Sequence, residues 1–523
     1  MAKQKKKTKQ PQTTAQQLST LVVSARKIMR KDKGLNGDLD RLPMLTWIMF
    51  LKFLDDMELI HEDEAKLAGN KYQPTIKAPY RWRDWAAQDD GITGDELIAF
   101  INQEEAVGPD GKKGKGLFAY LRSLQGNGKS RRDVIANVFR GIVNRMINGY
   151  LLRDVINKVD GIHFNSSDEM HTLGMLYESM LREMRDAAGD SGEFYTPRPV
   201  VKFMVEVINP QLGETVLDPA CGTGGFLTES YTHLEKLCKT VPQRKKLQEK
   251  AIYGQEAKPL PYMLGQMNLL LHGLEYPKVI YGNTLAQKMT EIGDKDRVDV
   301  ILTNPPFGGE EETGIKNNFP NDMQTAETSM LFLQYIMRKL KRPAKNNGKP
   351  GRAAVVVPNG MLFGDGVCAR IKEDLLKNFN LHTVVRLPNG VFSPYTIIPT
   401  NLLFFDRSRA TKTIWYYEIP PPEGRKNYSK TKPMQFDEYA DCIEWFKKKR
   451  RTEDGNAWKI AAKDILKYDK DGNLQSCDLD IKNPNSIEAL EHRSPEDLIA
   501  DIIEKEKCVL TLMTEIKAEL RGE

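Results

Sequence analysis

Cysteine is scarce in this chain of 523 residues: there are six, at positions 221, 238, 368, 442, 477 and 508, with no pair in CxxC spacing. The seven histidines form no ligand-like cluster. A disulfide framework and a bound metal are therefore not expected, and a reducing cytoplasm is the expected compartment. Long apolar runs are missing too. The most apolar stretch, Met44 to Leu54, contains Lys52 and falls well short of the roughly 20 residues that span a bilayer. No signal peptide opens the chain, so no membrane contact is expected. Charge is nearly balanced, Lys+Arg 77 against Asp+Glu 71 for a net +6. Much of that excess sits in Lys3 to Lys9, expected to belong to a disordered, solvated tail over residues 1–13 rather than to a DNA clamp. Two further basic clusters, Arg338 to Lys349 and Lys447 to Arg451, suit either phosphate contacts or solvated helix faces. No internal repeat is present.

The dinucleotide fingerprint G-x-G-x-x-G is also absent where it would matter. Thr215-Val216-Leu217-Asp218 reads as a strand running into Pro219-Ala220-Cys221-Gly222-Thr223-Gly224-Gly225-Phe226, but its glycines fall at 222, 224 and 225. A nicotinamide cofactor is thereby disfavoured. The glycines still allow a ligand close to the backbone, and the following helix N-terminus suits a carboxylate. A second strand, Ala251 to Gln255, ends in Glu256. An acid there binds ribose hydroxyls in dinucleotide folds, although it follows a longer connection than those folds use. The basic stretch Pro242 to Lys246 is expected to extend the crossover helix on the surface.

What stands out positively is Asn304-Pro305-Pro306-Phe307, which follows the apolar run Val298 to Thr303. It sits where a buried strand ends, the place where open α/β sheets bind ligands. Two prolines prevent the segment from continuing the sheet and leave its carbonyls free. The Asn304 side-chain carbonyl beside the Pro305 carbonyl offers two acceptors for an exocyclic amino group, and Phe307 offers a face for the ring carrying that amine. On its own the tetrapeptide equally suits a strand-terminating turn. Upstream, Thr196 followed by Pro197 matches an N-cap with proline at the first helical position, and Val200, Val201, Met204, Val205 and Ile208 supply an apolar helical stripe.

Gly192-Glu193-Phe194-Tyr195-Thr196-Pro197-Arg198-Pro199, the loop from Asp218 to Phe226, Glu256, and Asn304 to Phe307 occur in that order. Together they resemble an adenine-N6 DNA methyltransferase, specifically the methylation (M) subunit of a type I restriction-modification system. The resemblance runs on to Leu479-Asp480-Ile481-Lys482-Asn483-Pro484. It implies S-adenosyl-L-methionine as cofactor, held by Glu193, Phe194, Tyr195, Thr196, Pro197 and Arg198, by Asp218, Gly222, Thr223, Gly224 and Gly225, and by Glu256. Asn304, Pro305, Pro306 and Phe307 would act on N6 of an adenine flipped out of double-stranded DNA. Many relatives carry Asp where this chain has Asn283, to accept from the cofactor's adenine amino group; Asn283 retains an acceptor in its carbonyl. Expected partners are a specificity (S) subunit, a second copy of this chain and a restriction (R) subunit. A self-sufficient adenine methyltransferase, an amine methyltransferase acting on protein or RNA, and a non-catalytic assembly module are the alternatives. The helical N-terminal part and the intact Asn304 loop weigh against the last two.

The expected fold is α/β, a doubly wound methyltransferase sheet with an N-terminal all-helical domain and a C-terminal helical tail. The helical domain is placed at 14–166, where Leu18, Leu21, Val22, Ala25, Ile28 and Met29 form a stripe interrupted by glycine-rich loops near Gly108 to Gly116 and Gly126 to Arg132. The catalytic domain is placed at 167–410, with strands Ala353 to Val357, His382 to Leu387 and Asn401 to Phe405 after the Asn304 loop. The strands are expected to end near Arg407, with Pro420-Pro421-Pro422 as a linker inside a mixed extension over 411–490. Phe392 is read as either a second stacking ring or core. Over 491–523, Ser494-Pro495 starts a helix with Ile502, Val509, Met513, Ile516 and Leu520 at seam spacing, for assembly with another subunit. So little chain follows the sheet that target recognition is expected elsewhere.

Overall fold

The computed structural model describes residues 14–485 except 89–90, 127–129, 165–166, 189–194, 397, 422–423 and 426, and beyond them 499, 502–503, 505–507 and 509–513. The tail over 1–13, Glu193 and Phe194, the start of the C-terminal helix at Ser494, and Ile516 and Leu520 lie outside the described residues. Ile502, Val509 and Met513 are helical and exposed.

Apolar residues at helical spacing build the N-terminal region. In Thr14–Met29, Leu18, Val22, Ala25 and Met29 are buried, the leucine, valine and methionine each contributing up to about 1.5–3 kcal/mol if fully removed from water. Met44 to Phe53 of the apolar run are buried within helix Asp38–Leu67, with Leu54 partly buried. Among the described residues no helix is long and apolar enough to cross a membrane. Edge-on ring contacts such as Trp47 with Phe118, centroids 5.1 Å apart, tie this helix to Leu117–Arg122. The region is not wholly helical as expected. Glu105–Val107 pairs antiparallel with Lys113–Lys115, closed by a turn in which Gly111 takes φ +75° and the Gly108 N–H donates to the Lys112 carbonyl at 2.8 Å. Helix Ser167–Ala188 leads on from the helical region. The Tyr177 hydroxyl on it shares a hydrogen bond with Thr46 Oγ1 at 3.1 Å, and Glu183 pairs with Arg26 at 2.8 Å.

Nine strands then form one mixed sheet: β1 Val216–Asp218, β2 Ile252–Glu256, β3 Lys278–Tyr281, β4 Val300–Thr303, β5 Arg352–Pro358, β6 Asn380–Arg386, β7 Thr400–Asp406, β8 Thr413–Glu418 and β9 Ala457–Ala461. Their spatial order is 3-2-1-4-5-7-6-8-9, with β7 and β9 antiparallel to the rest. All four residues of β4 are buried, as a strand covered on both faces requires. Val300 and Leu302 enter one core with Val200, Phe203 and Phe226, whereas Ile301 enters the other with Met330, Leu333 and Leu375. That alternation follows from the two-residue repeat of a strand.

Three further expectations need correction. The sheet does not end near Arg407: β8 and β9 extend it past the boundary set at 410, joined by the Tyr416–Trp458 cross-strand pair, whose rings stack 5.4 Å apart. Pro420 and Pro421 lie in the connection between those strands, not in a linker. Second, the basic residues after Pro242 do not extend the crossover helix. They form a separate helix, Val241–Lys250, capped by Thr240, whose Oγ1 accepts from the Gln243 N–H. Third, Thr196 is not an N-cap. The helix begins at Arg198, with Pro197 as the flanking residue and Pro199 in the first turn, where a missing N–H costs nothing. Of the basic clusters, Arg451 is structural: it lies over the rings of Trp445 and Phe446 and donates to Thr383 Oγ1 at 2.7 Å.

Candidate functional site

The strand order reverses between β1 and β4, so the connections leaving their C-terminal ends diverge and open a crevice. The glycine loop, Glu256 and Asn304 follow the strand ends on this side of the sheet. At the end of β1, Asp218 is 1% exposed. It accepts from Thr303 Oγ1 at 2.7 Å and from the Ala220 N–H at 3.1 Å. Burial pushes its carboxyl up to about 7, with those two donors pulling the other way. Gly222 and Gly224 take left-handed φ values of +50° and +76°, a conformation that strains any residue with a Cβ. The loop is fastened to the end of β2: the Cys221 N–H donates to the Gln255 carbonyl at 3.0 Å and the Gly222 N–H to Glu256 Oε2 at 2.9 Å. The other Glu256 oxygen accepts from the Lys258 N–H at 2.7 Å. Burial raises this carboxyl as well, with those two donors partly offsetting it. The Ala257 N–H acts on the same carboxylate, which still keeps lone-pair capacity for a ligand.

Across the crevice, Asn304 follows β4. Its Nδ2 donates to Thr196 Oγ1 at 3.2 Å, while its Oδ1 is buried without a hydrogen-bond partner. An unpaired buried acceptor costs about 1–3 kcal/mol, which an N–H donor brought to it would relieve. Pro305 is buried and Pro306 exposed. The ring of Phe307 meets Phe392 at 6.1 Å and Tyr395 at 6.2 Å between centroids. Phe392 is thus both core and cluster, 3% exposed yet in contact with Phe307.

Arg198 and Thr223 are drawn into a network that sequence reasoning missed. Glu178, on helix Ser167–Ala188, accepts from Arg198 Nε at 2.7 Å, from Arg198 Nη2 at 2.8 Å and from Asn268 Nδ2 at 2.7 Å. Arg198 also reaches the Thr196 carbonyl and Thr223 Oγ1, both at 3.3 Å, and lies over the ring of Tyr195. Burial alone would raise the Glu178 carboxyl, but the guanidinium overrides it and holds the group below its usual range. The Arg198 guanidinium is therefore committed to holding protein groups. Asn283, after β3, spends its Oδ1 on the Leu285 N–H at 2.9 Å, capping a short 3₁₀ turn. Among the described residues no group of side chains is arranged to hold a metal.

A mixed sheet whose strand order reverses between β1 and β4, a glycine loop after β1, a carboxylate at the end of β2 and an Asn-Pro-Pro-Phe lip after β4 define a methyltransferase of the α/β class. Comparisons with known proteins narrow this. The N-6 DNA Methylase family model matches residues 168–479 and the HsdM N-terminal domain model residues 18–159. The type I restriction enzyme EcoEI methylase subunit of Escherichia coli is 46% identical over 492 residues, 92% of this chain and 93% of that protein. A modification subunit of a putative type I restriction enzyme from Vibrio vulnificus YJ016 is 70% identical, with TM-score 0.82 over 93% of this chain and all of that one. A chain from a structure of complex assembly and conformational transition in the type I R-M system is 39% identical, with TM-score 0.78 over 98% of this chain and 100% of that chain. The chain belongs to the methylase subunits of type I restriction-modification systems, and it is a DNA methyltransferase.

Proposed function

We propose that this subunit transfers the methyl group of S-adenosyl-L-methionine to N6 of adenine in double-stranded DNA. In this reading it works in the cytoplasm, at a sequence chosen by an S subunit, in a complex with a second copy of itself and an R subunit. The orphaned, buried Oδ1 of Asn304 carries the reading: it is an acceptor held in place beside a crevice, awaiting an N–H donor.

The adenine amino nitrogen is a poor nucleophile because its lone pair is delocalised into the ring. Asn304 Oδ1 would accept one of its N–H groups and the Pro305 carbonyl the other, drawing the nitrogen toward tetrahedral geometry so that its lone pair can take the methyl group as the S–CH3 bond breaks and one N–H proton passes to water. This is orientation and electrostatic work, not strong-base catalysis. Phe307, backed by Phe392 and Tyr395, stacks on the flipped base, worth about 1–3 kcal/mol. The residues opposite fit the cofactor. Glu256 keeps acceptor capacity for ribose hydroxyls, Gly222 and Gly224 keep the loop free of Cβ atoms, and the N-terminus of helix Gly225–Leu237 suits the carboxylate. Tyr195, Thr196 and Pro197 line its methionine end, with Glu193 and Phe194 assigned there by resemblance and Arg198 and Asn283 acting through protein contacts. When bound, the sulfonium supplies the activated methyl group. Domain limits at 14–166 for the helical unit and 491–523 for the assembly helix belong to the same proposal, with the catalytic sheet extended to Ala461.

Methylome sequencing of cells expressing this chain with and without the S subunit tests the reading. N6-methyladenine at one defined motif, only when both are present, is the expected result. Motif methylation by the chain alone would establish a self-sufficient enzyme instead, and no methylation in either case would overturn the proposal.

A further inference from the structure

A polar cleft of about 520 Å³ opens on the same edge of the sheet as Asn304, and the reaction derived above makes no use of it. It lies at the C-terminal ends of β5, β6 and β8, where its walls include Asn359, Arg386, Asn389, Asn401, Glu418 and Lys482. One loop separates it from the Asn304 lip. Leu387, Pro388 and Asn389 of that loop line the cleft, while Phe392 and Tyr395 further along it pack on Phe307. Lys482 and Asn483, in the segment that follows Leu479, supply a further wall. Asp480 fastens it, accepting from Arg386 Nη1 at 2.7 Å, Lys482 Nζ at 3.0 Å and Asn359 Nδ2 at 3.3 Å. Asn359 Oδ1 in turn accepts from Asn401 Nδ2 at 3.0 Å.

Charge decides what the cleft suits. Its two cations, Arg386 and Lys482, are both tied to Asp480, and Glu418 adds a second carboxylate. No surplus positive charge is left for a phosphate, which would need it. Asn359 and Asn483 spend their amides on protein partners and Asn401 its Nδ2, so what remains is the Asn389 amide and the Asn401 carbonyl between the apolar faces of Leu387, Ile419 and Pro399, in a cavity within the size range of small-molecule sites. A flat, uncharged heterocycle with hydrogen-bonding edges matches that lining. Asn amides pair with adenine edges and a carboxylate accepts from the cytosine amino group. Extruding one adenine also unstacks the bases beside it, and those bases arrive one loop away from Phe307.

We propose that this cleft receives a second, unmethylated base of the DNA substrate, a neighbour of the extruded adenine. The proposal rests on the DNA-methylating role of Asn304. Its test uses the full chain assembled with the S subunit on its recognition duplex, carrying 2-aminopurine at each position flanking the target pair. Fluorescence is expected to rise on complex formation at one of those positions. Asn389→Ala and Glu418→Gln, neither of which touches the Asp480 ties, should each remove most of that rise. Each should also raise KM for DNA at least fivefold while leaving S-adenosyl-L-methionine affinity within twofold. Free deoxynucleosides at millimolar concentration should not compete. Variants with parental KM and fluorescence would overturn the assignment, and competition by a free deoxynucleoside would give the cleft to a free ligand instead. A parent complex that transfers no methyl group would overturn the methyltransferase reading, which separates the two failures.

Discussion

Thr196 and Asn304 come from opposite walls of the crevice, 108 residues apart in sequence, and replacing Thr196 by valine removes their contact with almost no change of shape. The Asn304 Nδ2 loses its acceptor at 3.2 Å, and the amide is then free to rotate its Oδ1 away from the target amine. A neutral hydrogen bond of this kind contributes about 0.5–1.5 kcal/mol. If it holds the amide in the orientation the transition state needs, its loss lowers kcat by about 2–13-fold, at ~1.4 kcal/mol per factor of ten. KM for DNA should move less, because the base stack on Phe307 is untouched. Thr196→Ser restores the hydroxyl and should recover most of the rate. Single-turnover transfer of a radiolabelled methyl group, beside calorimetric titration of the cofactor, separates the rate effect from binding. The argument fails if Thr196→Val keeps the parental rate constant, or if Thr196→Ser is as impaired as Thr196→Val.

Asn304→Ala should lower methyl transfer by roughly 10²–10³, the loss seen on deleting one preorganised polar group, with cofactor binding nearly intact by calorimetry. Glu256→Ala should do the reverse, weakening the cofactor Kd by about tenfold or more for the loss of a charged acceptor, about 1.5–3 kcal/mol; unchanged affinity would place Glu256 outside the pocket. Asp218 carries a folded-state pKa near 7 against a lower unfolded value, so its contribution to stability is fully present below the unfolded pKa and is lost as pH rises through about 7. Urea titrations at pH 5 and pH 8 should therefore show a smaller loss of stability for Asp218→Asn than for the parent. Truncation at Arg493 should leave cofactor binding unchanged while preventing co-purification with the S subunit; a truncated chain that still assembles would refute a docking role for the C-terminal helix.

The parts of the site that were legible in the sequence are those that a short stretch of chain determines alone. Asn304 to Phe307 follows an apolar run, and Gly222 to Gly225 follows another, so strand ends and ligand loops were visible together. Glu178 was not visible, because a glutamate on a charged helix looks the same whether solvated or bonded to a buried arginine; only the fold brings it to Arg198. The Thr196 contact with Asn304 is long-range for the same reason. Thr-Pro resembled a helix cap, and the structure gives the first turn to Pro199 instead. Strands β8 and β9 were missed because three prolines between them suggested an ending, whereas the sheet resumes after that connection through Tyr416 and Trp458. Helix Val241–Lys250 reads in sequence as an extension of its predecessor because it buries only Leu247, leaving almost no apolar stripe to mark it as separate.

Helix Ser167–Ala188 touches the N-terminal region through Tyr177 and Glu183 and the wall of the crevice through Glu178. Neighbouring positions on one rigid rod thus answer to both regions. Coupling of this kind is reciprocal by thermodynamic necessity: whatever free energy a ligand gains from an ordered Arg198 and Thr223 is returned as a preference for one seating of the N-terminal helices. A partner that grips those helices is therefore coupled to the small molecule through adjacent turns of one helix, without touching it.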